Sequence, residues 1–264
     1  MAAAAFIFII VNAPAEAPIP EGTLARYEGL QQTRTEDGFP RLGDPDAPVK
    51  VSEFSSFDCP HCRDFHDEAI DQIVDRVKTG QVSLTYVPLY GFGAVANGQG
   101  AAAAAVCAAE QDKFWQLHDA LFDWQGIYSN QAFTNNRINA GIDAFGLDRG
   151  EYNACISSGR ANDALNAAKT QQGQLLNFSG TPTITINGFV PVGDDQQPLT
   201  ASADIIARID AEIARIGSQP STPEVLATAE ATQEVTQEAT ESPAETAALP
   251  TDEADATPEA TPAS

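Results

Sequence analysis

The sequence predicts an α/β fold whose sheet is split by a block of helices. Three observations carry that reading. An alternating apolar stretch runs straight into an amphipathic helix at Phe57-Asp58-Cys59-Pro60-His61-Cys62. A second strand pattern follows, and then roughly 75 residues with helical rather than strand periodicity. Strand patterns return near Thr183, followed by one more amphipathic helix.

Taken in order, Val49-Lys50-Val51-Ser52-Glu53-Phe54 alternates with the period of two expected of a strand. Phe65, Ile70, Ile73, Val74 and Val77 then recur at helical spacing until Gly80 closes the pattern. Val82 to Leu89 reads as the second strand, and Gly91, Gly93 and Gly98 break it off. An Ala-rich helix carries Cys107, and Lys113 to Trp124 gathers Phe114, Leu117, Leu121 and Phe122 on one face. Segments around Ile138–Phe145, Arg149–Ile156 and Ala161–Leu176 continue the helical block, with Trp115 and Trp124 read as core. Thr183-Ile184-Thr185-Ile186 faces Phe189-Val190-Pro191-Val192 across Asn187-Gly188, a strong hairpin signal. Leu199 to Ile216 closes the fold with Ile205, Ile206, Ile209, Ile213 and Ile216 in register. The expected division is 46–94 and 177–217 for the sheet domain and 95–176 for the helical insertion.

The junction carries the chemistry. Pro60 suits the first helical position, where its missing N–H is no loss. Cys59 is thereby placed at the helix N-cap, facing N–H groups without intrahelical partners. Those donors and the helix dipole favour a thiolate over a thiol. His61 adds a proton or a positive charge nearby. The pattern describes an acidic, outward-facing cysteine with a second, Cys62, one turn behind it. Zinc ligation is the rival use of a Cys-x-x-Cys pair, with His61 and His66 to complete it. The chain lacks the second Cys/His knuckle of structural zinc modules, so no metal is expected and His66 is read as a solvated helix residue. A purely structural Cys59–Cys62 disulfide would close too small a loop to gain much chain entropy.

The formal net charge of −23 argues against nucleic acid or an anionic membrane surface as partner. Residues 218–264 are nearly all Thr, Ala, Glu, Pro and Ser, with ten acidic residues and no Lys or Arg. Such a tail cannot bury enough surface to offset ordering entropy and is expected to be disordered. Residues 1–13 form an apolar run too short to cross a bilayer as written, expected as a residual signal or membrane anchor. Residues 14–45, with several Pro and many polar residues, read as a linker. Four cysteines make an even set, which suits an oxidising, extracytoplasmic compartment.

Ala47-Pro48-Val49, Glu53-Phe54-Ser55 and Cys59-Pro60-His61-Cys62 together resemble the DsbA-like family of thiol–disulfide oxidoreductases. Cys107-Ala-Ala-Glu-Gln-Asp-Lys-Phe-Trp115, Gly146-Leu147-Asp148 and Ser179-Gly180-Thr181-Pro182-Thr183 extend the match, in order, over roughly residues 42 to 216. The resemblance implies a thioredoxin fold with an inserted helical domain, in agreement with the element order. It implies that Pro182 is a cis-proline facing the active site, with the Thr181 backbone offered to an extended substrate by strand addition. Glu53 lies on the same strand face as Val49 and Val51, where a carboxylate is costly unless it takes up a proton. The family implies that it shuttles protons to and from Cys62. The family also implies a structural disulfide between Cys107 and Cys155, closing a loop worth about 4 kcal/mol in the chain-entropy model.

The implied activity is an extracytoplasmic oxidase donating the Cys59–Cys62 disulfide to unfolded or reduced exported proteins. That disulfide is the redox group, and no other cofactor is required. A quinone-linked membrane reoxidant, DsbB-like or vitamin K epoxide reductase-like, would regenerate it, and nothing in the sequence asks for more than a monomer. Two alternatives stay open: a reductase or isomerase of the same fold, since isomerase-type relatives also carry Thr before the proline, and a non-catalytic metal-binding or surface adhesion module.

Overall fold

The computed structural model describes residues 15–218. The N-terminal apolar segment and the acidic tail, for which an anchor and disorder were expected, lie outside the described residues. No helix among the described residues is long and apolar enough to cross a membrane.

The segment read as a linker is part of the fold. Thr23–Arg26 forms a short helix, α1, and Gln32–Arg34 (β1) and Pro40–Leu42 (β2) form an antiparallel pair. Gly38, at φ 83°, takes the left-handed turn between them. Tyr27, Phe39 and Leu42 are buried. Three-residue strands leave no periodic signal long enough to read, so burial of these three side chains, not local pattern, holds the segment down.

Val49–Ser56 (β3) and Val82–Leu89 (β4) pair in parallel, from Val49 opposite Val82 to Ser56 opposite Leu89. Their crossover is the helix Pro60–Lys78 (α2). After β4 come five helices: Gly98–Ala109 (α3), Phe114–Tyr128 (α4), Asn135–Ala144 (α5), Arg149–Ser158 (α6) and Arg160–Gln174 (α7). Thr183–Ile186 (β5) then runs antiparallel to β3, and Ser202–Gly217 (α8) ends the described chain. The sheet order is β1-β2-β4-β3-β5. Strands buried on both faces explain why β4 reads as a nearly continuous apolar run.

The predicted hairpin forms only its turn. Asn187 and Gly188 both adopt positive φ, and Ile186 and Phe189 exchange two backbone hydrogen bonds of 2.9 and 3.1 Å. Beyond that single bridge no return strand follows, because Pro191 has no N–H to continue a ladder. β5 is consequently a sheet edge.

The main core fills the space between one sheet face and helices α2, α4 and α8, and Trp115 and Trp124 lie wholly inside it. A smaller cluster, Phe39, Phe54, Val87, Leu89 and Ala168, seals the other face under α7. Each such side chain removed from water stabilises the fold by roughly 1.5–3 kcal/mol. Cys107 on α3 and Cys155 on α6 are disulfide-bonded, with Cα atoms 5.7 Å apart.

Candidate active site

The end of β3 delivers the chain to the N-terminus of α2, and this places both motif cysteines. Cys59 is the N-cap residue, in an extended conformation with φ −92° and ψ 121°, and Pro60 opens the helix. Both thiols are free. The Thr181–Pro182 peptide bond is cis, and the Cys59 Sγ lies 3.3 Å from the Thr181 carbonyl oxygen. Beside them runs a cleft of about 400 Å³ lined by His61, Phe65, Gly180, Thr181 and Pro182, with Asp64 and Glu68 along one wall. The fold thus brings Cys59, Pro60, His61, Cys62, Thr181 and Pro182 to one place. Glu53 is on β3, six residues before Cys59, whereas Cys107 and Cys155 are held apart in the helical block.

The two thiols are electrostatically unlike. A hydrogen bond from the Cys62 side chain does most to stabilise the Cys59 thiolate; burial opposes it, and the His61 and Cys62 backbone N–H groups assist. The result lowers Cys59 from 9.0 to about 6. Cys62 moves the other way, because burial and the neighbouring Cys59 sulfur disfavour a second negative charge. The Ser56 N–H donates to the Cys62 Sγ at 3.4 Å.

Cys59 is only 2% exposed, which corrects the outward-facing cysteine of the sequence reading. The cause is the segment after β4. A Cβ added at Gly93 would overlap the Asp58 carbonyl and lie 2.8 Å from the Cys59 Cα, so this backbone rests directly on the motif. From the other side, the Gln125 side chain on α4 donates to the Phe57 and Cys59 carbonyl oxygens.

The core near Cys62 holds polar side chains, among them Tyr86, which lies close enough to feel the charge of both Glu53 and Cys62. Glu53 is 1% exposed and sits opposite Tyr86 in the β3–β4 register. Burial raises its pKa, which favours the protonated acid. Its Oε1, the Tyr86 hydroxyl and His118 Nε2 have no protein hydrogen-bond partner, and the Tyr86 and His118 rings are 5.1 Å apart. His66, read as solvated, is 7% exposed, stacked 5.0 Å from Phe122. Helix α2 is covered by both α4 and α8, so its buried face is wider than one apolar stripe. Burial pushes His66 down to about 3, so it stays neutral.

His66, His118 and Asp119 bring possible ligand atoms within 4.8 Å of one another, and this group contains neither motif cysteine. Asp119 already has its partners: the Tyr27 hydroxyl at 2.6 Å, the Thr23 hydroxyl at 3.2 Å and the Arg26 guanidinium. That cation meets the carboxylate charge a metal would need. Asp58, Gln125, Tyr86, His118 and Asp119 were not singled out from sequence. For Asp58 the signal was present, since it directly precedes Cys59 and the glycines at 91, 93 and 98 mark a close backbone approach.

A reactive thiol at a helix N-terminus, with its partner sulfur buried one turn on, defines this molecule's class: a thiol–disulfide oxidoreductase. Comparison with known proteins places it further. The family model described as Thioredoxin matches residues 35–205, and the chain belongs to the thioredoxin family, among its DsbA-like members. It is 28% identical over 169 residues to Disulfide bond formation protein D of Bacillus subtilis (strain 168), covering 58% of this chain and 69% of that protein. It is 32% identical over 148 residues to Na(+)/H(+) antiporter NhaA 3 of Salinispora tropica, a match covering 55% of this chain and 21% of the antiporter. Among solved structures, oxidised BdbD from Bacillus subtilis shares the fold with a TM-score of 0.55 at 23% identity, covering 69% of this chain and 96% of that one.

Proposed function

We propose that the chain is an extracytoplasmic dithiol oxidase that passes the Cys59–Cys62 disulfide to reduced exported proteins. The observation that carries this reading is the asymmetry of the pair, with Cys59 lowered to about 6 and Cys62 raised. A stabilised Cys59 thiolate favours the reduced pair, which makes the disulfide strongly oxidising and Cys59 a good leaving group. The name Disulfide bond formation protein D, carried by a relative, is consistent with this direction.

In the proposed cycle a client thiolate attacks Cys59 Sγ, and the bond to Cys62 breaks. Cys62 leaves as a thiolate and takes a proton, for which Glu53, buried and with its pKa raised by that burial, is the proposed source. A second client thiolate attacks the client sulfur of the mixed disulfide, releasing Cys59 as a thiolate. Two client thiols are oxidised to one disulfide, and the enzyme disulfide is reduced to the pair. The client lies extended in the cleft and pairs with the Thr181 backbone, with Pro182 and His61 at its flanks. The Cys59–Cys62 disulfide is the redox group of the proposed cycle. A quinone-linked membrane partner then withdraws the two electrons, and the enzyme works as a monomer on the outer side of the membrane.

The test is the equilibrium of the Cys59–Cys62 pair against glutathione redox buffers, with thiolate absorbance followed against pH. A pair oxidising relative to glutathione, with Cys59 titrating near 6, supports the oxidase. A reducing, thioredoxin-like pair overturns it and makes the chain a reductase.

A further inference from the structure

Asp58 has no role in the exchange as derived, yet it is among the most heavily used side chains near the site. It is 4% exposed. Its Oδ2 accepts the Gly91 N–H at 2.8 Å, and its Oδ1 accepts the Phe92 N–H at 3.3 Å and the Ser56 hydroxyl. The chain then crosses Cys59 at Gly93 and returns to the same carboxyl group at Gly98, where a Cβ would overlap it. Residues 91 to 94 are otherwise exposed, and the Phe92 ring meets Phe178 edge-on at 5.7 Å, just before the cis-proline segment. This stretch therefore touches both sides of the site, and its near end, residues 91 to 94, is tied down through the Asp58 side chain.

We infer that Asp58 is a positioning residue: it latches the 91–98 loop over Cys59 and so sets which thiols reach that sulfur. The reasoning is steric. A macromolecular thiol must approach the Cys59 sulfur along a clear path, and a sulfur on a residue 2% exposed offers almost none. The covering backbone is glycine at its point of contact; Val95 and Asn97 pin the far end of the loop, while at residues 91–94 the Asp58 oxygens and the Phe92–Phe178 contact hold it over the motif. Its release costs the Asp58 hydrogen bonds and little buried apolar surface, because Phe92 is 39% exposed. Small thiols need less opening than folded or bulky ones. The latch thereby biases the enzyme toward slender, extended client segments.

The test compares alkylation of the reduced protein by N-ethylmaleimide and by a polyethylene-glycol maleimide, which share one reaction and differ in bulk. At about pH 8.5 Cys59 is wholly thiolate and Cys62 remains a buried thiol, so both reagents report Cys59. In the native protein the bulky reagent lags. Asp58→Ala should raise the bulky-to-small rate ratio about tenfold or more, the scale of one lost charge-assisted hydrogen bond. Asp58→Asn, which keeps one acceptor oxygen, should fall between. Gly93→Ala leaves Asp58 intact but forces a methyl group into the Asp58 carbonyl, and should raise the ratio likewise. It decides the matter if Asp58→Ala does not fold. A ratio within twofold of native in Gly93→Ala and in folded Asp58→Ala overturns the latch. So does a change in both rates that leaves the ratio fixed, since that is the mark of an electrostatic effect on the thiolate alone.

Discussion

The stability of the reduced protein should rise with pH across a defined window, while that of the oxidised protein should not share the rise. In the folded reduced protein Cys59 titrates near 6 rather than 9.0. A depressed pKa means that the unfolded chain binds more protons between those values, so stability increases as pH climbs from about 6 to 9. The gain is fully present above the unfolded value and is lost as pH falls through about 6. At the ceiling the displacement is worth about 4 kcal/mol. Partial stabilisation of the thiolate that persists in the unfolded chain, where Cys62 is still a near neighbour in sequence, reduces this to about 2 kcal/mol. For a domain of this size that is a rise of about 4–8 °C in Tm. Cys62, raised by burial, contributes the opposite slope, but only above its ordinary value of 9.0. Glu53, raised by burial, and Asp119, lowered against its burial by its histidine and cationic neighbours, are present in both redox forms, so their contributions are common to the two and drop out of the difference.

The assay is therefore a difference: Tm of the reduced minus the oxidised protein, scanned from about pH 5 to 9, with Cys59→Ser as the control. A difference that grows toward pH 9 and vanishes in Cys59→Ser follows from the geometry at the helix N-cap. A flat difference between pH 6 and 9 would refute the reasoning, because it requires equal proton binding by Cys59 in folded and unfolded chains.

Three further outcomes follow from other parts of the molecule. Glu53→Gln should stabilise the protein near pH 7 by about 1–2 kcal/mol, since Gln avoids the cost of moving an ionisable carboxylate from water into the buried site. The raised pKa of Glu53 means that stability is lost as pH rises above 4.5, so urea unfolding at about pH 4 should show the gap closed. The same variant should slow the reduction of the enzyme disulfide by a client peptide in a stopped-flow assay. Replacing both Cys107 and Cys155 by Ala should cost about 2–4 kcal/mol in urea unfolding and leave the redox equilibrium of Cys59–Cys62 unchanged. Gly141→Ala drives a methyl group into the Trp124 ring and should cost about 1–3 kcal/mol, with a shifted tryptophan emission spectrum.

What was legible in the sequence depended on how many residues each signal spans. Helix α2 and strands β3 and β4 are long and periodic, and Val82–Leu89 lies where the pattern put it. Strands β1 and β2 are three residues each, and their burial comes from contacts with a sheet and helices that follow later in the chain. The hairpin signal at Asn187-Gly188 was sound for the turn and misleading for the strand, because Pro191 decides the ladder and the turn residues do not. At the site, the motif named the sulfurs but not their surroundings. The cover over Cys59 depends on backbone contact with Gly93, and glycines in a sequence announce a break before they announce an approach. His66 was misread because a single apolar stripe was assumed for a helix that is packed on two sides.

The buried polar residues under Cys62 make sense once the two sulfurs are compared. Cys59 is stabilised as an anion by groups that belong to the helix terminus itself, so it needs no proton when it leaves. Cys62, one turn further in, faces the sheet and receives one backbone N–H, from Ser56. As an anion there it is poorly compensated, so in the proposed cycle its release calls for a proton. A purely apolar core beneath it would pack better and leave the second sulfur stranded. Glu53 lies on the β3 face that the helix covers, and the burial that makes a carboxylate costly there raises its pKa, which is the property the proposed proton donor needs. The raised pKa of Glu53 and the lowered pKa of Cys59 are therefore consequences of one geometry: a helix N-terminus set over a sheet, with one sulfur at its cap and the other on its inner face.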